Sequence, residues 1–226
     1  MGIPYTGTGC LSSAMAMDKG VTKAMFQMRG VSTPGGKAMK KKDRQDSLAA
    51  LGMEFPVVVK TCCGGSSIGV YIVDNQEDYV KALDEAFEYE NEVVIEEFIK
   101  GVEYTVAVVD GTAYPVVQIV PKEGFYDYEN KYKPGAVQET CPAPISEELT
   151  RRLQEAAVDG YHALEMESYA RLDFIVTEDE KIYCLEANTL PGMTPTSLIP
   201  QEAAVLGMDY PTLCEELIRV SQKKYD

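Results

Sequence analysis

The sequence predicts an α+β fold whose sheets are largely antiparallel. Strand-sized apolar runs and amphipathic helical patterns are mixed along the 226 residues, and several neighbouring runs are joined by hairpin turns. Hairpins connect antiparallel strands, whereas a doubly wound parallel sheet needs a long crossover between successive strands. The length favours one or two domains. No apolar run approaches the ~18 residues that span a bilayer, so we expect no membrane partner.

The elements of the first half follow from caps, apolar runs and helix-ending residues. In the first helix, Ser12 or Ser13 is the expected cap, apolar residues recur at three-to-four spacing, and Gly30 is the expected end. A Gly- and Ser-rich stretch, residues 61–69, separates two short apolar runs and predicts a flexible loop. The predicted elements are a helix over 11–30, strands over 56–60, 70–74 and 93–99, and a helix over 75–90.

The second half begins with the strongest short hairpin signal in the chain, Asp110-Gly111 between two apolar runs. Ser146 precedes a helical pattern with acidic residues in its first turn, as expected for an N-cap. The stretch "EEFIKGVE" reads as a connector between two sheet systems. The predicted elements are two strands within 103–121, a polar loop over 121–141, a helix over 146–164, a hairpin over 171–192 that turns at "TEDE", and a last helix over 210–224.

The charge and the cysteine and histidine content exclude several classes of function. The net charge is −15, and the basic cluster Lys37 to Arg44 is interpreted as a solvated loop, so we expect no nucleic-acid partner. The six cysteines follow no metal or disulfide spacing, which favours reduced thiols and a cytoplasmic location. The single histidine, His162, falls in a helical pattern as a half-exposed residue. Any chemistry must therefore depend little on histidine.

Three oxygen-bearing side chains interrupt the apolar hairpin at 171–192. Arg171 and Asp173 are two residues apart and face the same side of a strand. A turn centred near Glu178 and Asp179 places Asp173 within about a residue of Glu186, so the two become cross-strand neighbours, and Asn188 lies two residues further on that face. Two carboxylates and an amide oxygen suit Mg²⁺ shared with nucleotide phosphates. The alternative is a solvated face on the exposed side of the hairpin.

The stretch "KTCCGGSSIG" at 60–69 is rich in glycine and serine. It is not a Walker A loop, because its lysine precedes the glycines and a strand follows. Backbone N–H groups in such a loop can still bind phosphates, and Lys60 at a strand end could neutralise one. A flexible hairpin turn is an equally good interpretation of this stretch alone.

Taken together, these motifs resemble the ATP-grasp ligases, and closely resemble the D-alanine–D-alanine ligase family. The resemblance covers essentially the whole chain. Its most specific strings are "AMDKGVTK", "VVVKTCCGGSSIGV", "VVIEEFIKGVEYTV", "GFYDYENKYK" and "CLEANTLPGMTPTSLIP". It implies that ATP lies between two antiparallel sheets, with subdomains over 1–95 and 96–226.

The resemblance also implies the nucleotide site. Residues matching Asp173, Glu186 and Asn188 hold two Mg²⁺ ions in the family, with Mn²⁺ as a possible substitute. Lysines matching Lys19 and Lys60 contact the phosphates, a glycine loop covers them, a connector strand holds the adenine, and an acid binds the ribose. The residues assigned to the nucleotide are Lys19, Lys60, Gly65, Ser66, Ser67, Glu96, Glu97, Phe98, Ile99 and Glu103.

The reaction implied is ligation of two D-alanines through an acyl phosphate. Arg171 and the Gly192 N–H would stabilise the tetrahedral oxyanion, and Ser197 with Leu198 matches the segment that binds the second carboxylate. Lys131 would reach the γ-phosphate, and Tyr132 would hydrogen-bond Ser66.

Two departures from the family pattern bear on these expectations. Thr61, Cys63 and Gly64 replace the Pro and Arg-Glu usual in the glycine loop. The family also has an N-terminal domain before "GIPYTG", which supplies an acidic residue for the first D-alanine. We therefore expect a fragment that binds ATP with little turnover, and a homodimer for the full-length enzyme. The alternatives are a nucleotide-binding module without ligase activity and a D-alanine–D-serine ligase. Leu198 disfavours the resistance-type enzymes, which carry arginine there, and Tyr132 disfavours a lactate-using enzyme.

Overall fold

A computed structural model of the protein describes residues 2–65, 68–121 and 137–225. Two sheets organise it, and all pairings among the described strands are antiparallel. The smaller sheet has the order β1-β4-β2-β3, and the larger has the order β10-β9-β5-β7-β8 with β6 beside β5. The predicted α+β class with antiparallel sheets is confirmed.

The strands of the smaller sheet are β1 (Gly36–Lys40), β2 (Val57–Thr61), β3 (Val70–Val73) and β4 (Glu92–Glu97). Those of the larger sheet are β5 (Val102–Val109), β6 (Thr112–Ala113), β7 (Val117–Pro121), β8 (Val137–Thr140), β9 (Tyr169–Val176) and β10 (Ile182–Asn188). The α-helices are α1 (Cys10–Met17), α2 (Lys19–Arg29), α3 (Gln76–Tyr89), α4 (Glu147–Ala163), α5 (Leu198–Val205) and α6 (Tyr210–Gln222).

One helix, α3, covers the smaller sheet. The Asn75 side chain accepts from the Asp78 N–H at 2.9 Å and so begins α3. Tyr79 and Leu83 of α3 are fully buried against Val59 and the other apolar residues of β2 and β4. The polar side chains near the ends of β2 and β4 lie at the edge of this core.

The larger sheet is covered on both faces. Even-numbered residues of β5 and β9, such as Val106 and Leu172, pack against α4, and Phe26 of α2 joins this core. Ala107 and Tyr169, at odd-numbered positions, pack against α5 and α6 instead. Because side chains alternate along a strand, odd-numbered residues of β9 lie on the face that α5 covers.

The helix predicted over 11–30 is wrong as a single element. Asp18 is extended and separates α1 from α2, because its side chain accepts from the Val21 N–H at 3.0 Å and caps a new helix. Ser12 does not cap α1; its hydroxyl donates to the Glu165 carbonyl at 2.6 Å. Gly30 has the left-handed φ of 78° and ends α2 as predicted.

Three further elements differ from expectation. The basic stretch Lys37 to Arg44 is not only loop, because β1 pairs with β4 and the 3₁₀ turn Lys41–Asp43 follows. Within the predicted loop 121–141, Val137–Thr140 is a strand paired with β7. Helix α5 was not predicted.

The predicted hairpin turn at Asp110-Gly111 is confirmed. Asp110 and Gly111 both have positive φ, 52° and 75°, as a two-residue hairpin turn requires. All six cysteines are free thiols. His162 lies on α4 as predicted, but it is exposed and not half-exposed. In the part of the chain that the structure describes, no helix is long and apolar enough to cross a membrane.

Candidate functional site

The β9–β10 hairpin brings the four predicted polar residues onto one face. Asp173 pairs with Glu186, and Arg171 pairs with Asn188, which confirms the predicted cross-strand neighbours. The register shifts between Cys184 and Glu186. The shift leaves Leu185 as one extra residue in β10. It places Glu186 on the face of Asp173, whereas Cys184 points into the core on the α4 side.

Asp173 is the centre of the hydrogen bonding on this face. Arg171 donates to both of its oxygens, through Nε at 2.9 Å and Nη2 at 2.7 Å. The Thr105 hydroxyl donates to Oδ1 at 2.6 Å, and Asn188 Nδ2 donates to Oδ2 at 3.0 Å. Asn188 Nδ2 also lies 3.4 Å from Glu186 Oε1. The carboxylate is therefore fixed in direction by partners on three strands.

Lys19 links this hairpin to the glycine loop. Its ammonium donates to the Gly64 carbonyl at 2.5 Å and lies 3.9 Å from Glu186 Oε2. Its backbone N–H donates to the Cys62 carbonyl at 2.9 Å, so the start of α2 is tied to the loop that follows β2. Two predicted phosphate-site segments, far apart in sequence, are thus neighbours of the carboxylate face.

A second charged cluster lies at the ends of β2 and β4. Glu96 is only 3% exposed, and its carboxylate contacts two lysines. Lys60 is in ion-pair contact with Oε1, and Lys23 lies 2.7 Å from Oε2. Burial alone would raise the pKa of Glu96, but Lys60 and Lys23 outweigh it and hold the pKa below its usual value. We refer to Lys23, Lys60 and Glu96 as the lysine–glutamate cluster.

Lys23 was not predicted from the sequence. It follows Lys19 by four residues on α2, so the two lysines share one side of the helix. That spacing is the signal that could have indicated it.

The predicted adenine and ribose residues lie around the connection between the sheets. The Glu97 N–H donates to the Gly35 carbonyl at 2.8 Å, and the Phe98 N–H donates to the Pro56 carbonyl at 3.2 Å. Glu97 is exposed, and Phe98 and Ile99 are half-buried. Glu103, on β5, is half-buried and pairs with residues of β7 and β9. Gly65 is exposed at the tip of the glycine loop, and Ser66, Ser67, Lys131 and Tyr132 lie outside the described residues.

The predicted second-substrate segment lies at the start of α5. Ser197 Oγ accepts from the Thr194 N–H at 3.0 Å, which holds the turn after the exposed Gly192. The Leu198 side chain packs against Val117 and Ile119 of β7. Residue 198 can therefore offer a ligand its backbone N–H but not its side chain.

Sequence reasoning also missed a buried acid on α5. Glu202 is fully buried, and its Oε2 accepts from the Ala107 N–H at 2.7 Å. No described residue hydrogen-bonds its Oε1. Ala107 is the cross-strand partner of Arg171, so the acid adjoins the Arg171 strand. Burial raises the pKa of Glu202 well above its usual value, which favours the neutral acid.

Glu202→Gln should make stability less dependent on pH. Between ~4.3, the pKa of a free glutamate, and the raised folded value, the folded state binds the extra proton, so wild-type stability falls as pH rises. The glutamine side chain still has a carbonyl oxygen that can accept from the Ala107 N–H, and it cannot ionise. In thermal unfolding, the stability of the variant relative to wild type should increase from pH 5 to pH 8, by ~1.4 kcal/mol for each unit of pKa shift that the substitution removes. Glu215→Gln, on the exposed side of α6, is the control. Parallel pH curves for wild type and Glu202→Gln would contradict this account.

The chemistry of the carboxylate face fits a hard divalent cation. Asp173 and Glu186 supply carboxylate oxygens, and Asn188 supplies an amide oxygen. Among the described residues, no group of three or more His, Cys, Asp or Glu side chains could hold a metal ion. Further ligands would therefore have to come from a bound phosphate and water, as is usual for Mg²⁺.

Comparison with known proteins identifies relatives along nearly the whole chain. Residues 20–219 match the family model described as the D-ala D-ala ligase C-terminus. A D-alanine–D-alanine ligase from Syntrophotalea carbinolica is 44% identical over 96% of this chain and 70% of its own length.

Solved structures agree with the sequence comparison. A D-alanine–D-alanine ligase from Bacillus anthracis complexed with ATP is 35% identical, with a TM-score of 0.85 over 98% of this chain and 71% of the other. The VanG D-Ala:D-Ser ligase from Enterococcus faecalis is 32% identical, with a TM-score of 0.88 over 97% of this chain and 66% of the other.

Proposed function

The chain belongs to the D-alanine–D-alanine ligase family, and we propose that it joins two D-alanine molecules with conversion of ATP to ADP and phosphate. The observation that carries this proposal is the meeting of three sequence-distant segments at one site. The carboxylate face of β9–β10, the start of α2 and the glycine loop are joined through Lys19. The family's activity supplies the building block of a cell-wall precursor.

We propose that ATP binds between the two sheets, in subdomains 1–95 and 96–226. The contacts of Lys19 and the position of Lys60 beside the glycine loop support assigning them to the phosphates. Glu96 to Ile99 and Glu103 are assigned to the adenosine. The loop residues Gly65, Ser66 and Ser67 are assigned to the phosphates, and Lys131 to the γ-phosphate. The likeness to an ATP-complexed ligase supports this assignment.

Asp173, Glu186 and Asn188 would hold Mg²⁺, or Mn²⁺ in its place, and two ions is the number we propose. When bound, the metal neutralises phosphate charge that develops during transfer. Asp173, Glu186 and Asn188 are all partly exposed, and the facing carboxylates of Asp173 and Glu186 repel each other, which supports a role in binding a further cation.

The residues of the chain then act on charge and position. The carboxylate of the first D-alanine attacks the γ-phosphorus, which gives an acyl phosphate and ADP. The amine of the second D-alanine attacks the acyl carbon, phosphate leaves, and the amine loses a proton. Arg171, held rigidly by Asp173, and the Gly192 N–H would stabilise the oxyanion of this second step. Ser197 and the Leu198 N–H would receive the second carboxylate, and Tyr132 would hydrogen-bond Ser66.

D-serine is the second candidate for the attacking amino acid. The likeness to the VanG D-Ala:D-Ser ligase favours considering it. Leu198 favours D-alanine, because the resistance-type enzymes carry arginine at the matching position. A homodimer and a cytoplasmic location complete the proposal, and the six free thiols support a reducing compartment.

The purified protein should bind ATP in Mg²⁺ and form D-alanyl-D-alanine at the low rate expected above. Calorimetry measures the binding, and mass spectrometry with D-alanine, D-serine and L-alanine identifies the product. D-alanine-dependent ADP formation establishes the ligase. ATP binding without any dipeptide would favour the nucleotide-binding alternative, and a mixed D-alanyl-D-serine product would favour the second candidate.

A further inference from the structure

With both lysines protonated, the lysine–glutamate cluster carries one more positive charge than negative charge in a buried place. Burial lowers the pKa of Lys23, although the neighbouring Glu96 carboxylate opposes this shift. Lys23, Lys60 and Glu96 are 6%, 8% and 3% exposed. The Glu96 carboxylate can neutralise one ammonium, and each oxygen is already in contact with a lysine. Excess charge out of water is unfavourable unless an opposite charge approaches. The cluster is therefore suited to receive an anion beside one of its lysines.

The two lysines are held differently. Lys23 donates to Glu96 Oε2 at 2.7 Å and to the Thr33 hydroxyl at 3.1 Å, so two partners fix its ammonium. Glu96 is the one ion-pair partner that the described residues give Lys60. Lys60 also lies at the end of β2, immediately before the glycine loop. Lys60 is thus the lysine that can turn toward an anion in that loop.

We propose that Lys23 is a positioning residue that keeps Glu96 paired when Lys60 turns from Glu96 to a nucleotide phosphate. This inference rests on the proposed ATP site. Without Lys23, movement of Lys60 would leave a buried carboxylate without a counter-ion, so Glu96 would retain Lys60. With Lys23 present, one neutral pair remains after Lys60 moves. Lys23 therefore acts on phosphate binding through two other residues, without touching the nucleotide.

Two simpler roles make different predictions. If Lys23 only holds α2 against β4, its loss should weaken the binding of every ligand alike. If Lys23 only contributes long-range positive charge, its loss should weaken ATP binding equally whether residue 96 is charged or neutral. If Lys23 releases Lys60, its loss should matter only for ligands with phosphates and only while Glu96 is charged.

The first test is a double-mutant cycle with Lys23→Met, Glu96→Gln and both together, titrated calorimetrically with ATP, ADP and adenosine. Lys23→Met should weaken ATP and ADP binding by ~10–100-fold, the range typical when a supporting partner of a ligand-binding residue is lost. Adenosine, which has no phosphates, should lose much less affinity. In the Glu96→Gln background, Lys23→Met should have little further effect on ATP.

Lys81→Met, at an exposed ion pair on α3, is the control for loss of one positive charge, and it should match wild type. Equal losses for adenosine and ATP would overturn the inference, as would additive effects in the cycle. Failure of the wild-type protein to bind ATP would instead overturn the proposed function. Normal ATP binding by both wild type and Lys23→Met overturns this inference alone.

A second measurement follows the wild-type protein itself. Lysine ammonium signals of the wild-type protein can be followed by NMR with ¹⁵N-labelled lysine, and the variants Lys60→Arg and Lys23→Arg serve only to assign the two signals. Addition of a non-hydrolysable ATP analogue should shift the Lys60 signal and leave the Lys23 signal near its free position. A shift confined to Lys23, or absent from both, would overturn the inference.

Discussion

Arg171→Met should lower kcat by ~10²–10³, the loss that follows removal of one oxyanion-hole donor. The Arg171 guanidinium is bound at two points by Asp173, the next residue on the same strand face. A donor fixed in this way needs no reorientation when negative charge develops in the transition state. Methionine has a similar length and no charge, so it removes the donor while keeping much of the volume.

The measurement has to separate two roles of Arg171. If it stabilises the oxyanion, the dissociation constant for ATP in Mg²⁺ should stay within a few-fold of wild type while kcat falls. If it only orients Asp173, the loss should appear in nucleotide affinity instead, which would contradict the assignment. Arg152→Met, which removes a solvent-facing guanidinium paired with Glu180, is the matched control and should retain wild-type kinetics.

Glu186→Gln should weaken ATP binding roughly 100-fold in Mg²⁺, which corresponds to ~2.8 kcal/mol. Glutamine has the shape of glutamate but neither its charge nor its second anionic oxygen, so a metal ion shared with phosphate loses a ligand. In EDTA the same substitution should leave ATP affinity unchanged or increase it, because Glu186 then only repels the phosphates. Calorimetric titrations with and without Mg²⁺ give both values.

Glu178→Gln provides the control for this substitution. Glu178 is exposed in the turn of the same hairpin and should leave both affinities unchanged. Equal weakening by Glu186→Gln in Mg²⁺ and in EDTA would exclude metal ligation by Glu186. The carboxylate would then serve as a partner of Lys19 and Asn188 only.

The hairpin that carries these residues could be predicted because its turn fixes its pairing. The "TEDE" turn places Asp173 within about one residue of Glu186, and side-chain alternation predicts which residues of a strand share a face. The register shift after Cys184 could not be predicted, because no glycine or proline marks it. The shift is required by the tertiary structure, which buries Cys184 in the core and places Glu186 on the face of Asp173.

Elements without a strong local pattern were the ones missed. β1 contains only two apolar residues, Ala38 and Met39, and becomes a strand through pairing with β4. Helix α5 is eight residues long and contains Pro200, which lowers its intrinsic helical signal. The burial of Glu202 and the partners of Lys23 depend on contacts across the chain. No sequence spacing can give the depth of a charged residue.

Helix α2 joins the two layers of the molecule. Its Phe26 lies in the core of the larger sheet, and its Lys23 pairs with Glu96 of the smaller sheet. These side chains are less than one turn apart on an element that does not stretch. A rotation of the smaller sheet against the larger one must therefore turn α2 with it or break one of the two contacts. Helix α2 thus couples the two sheets mechanically. A rotation that keeps both contacts would also move Lys19, and with it Gly64 of the glycine loop, to whose carbonyl Lys19 donates.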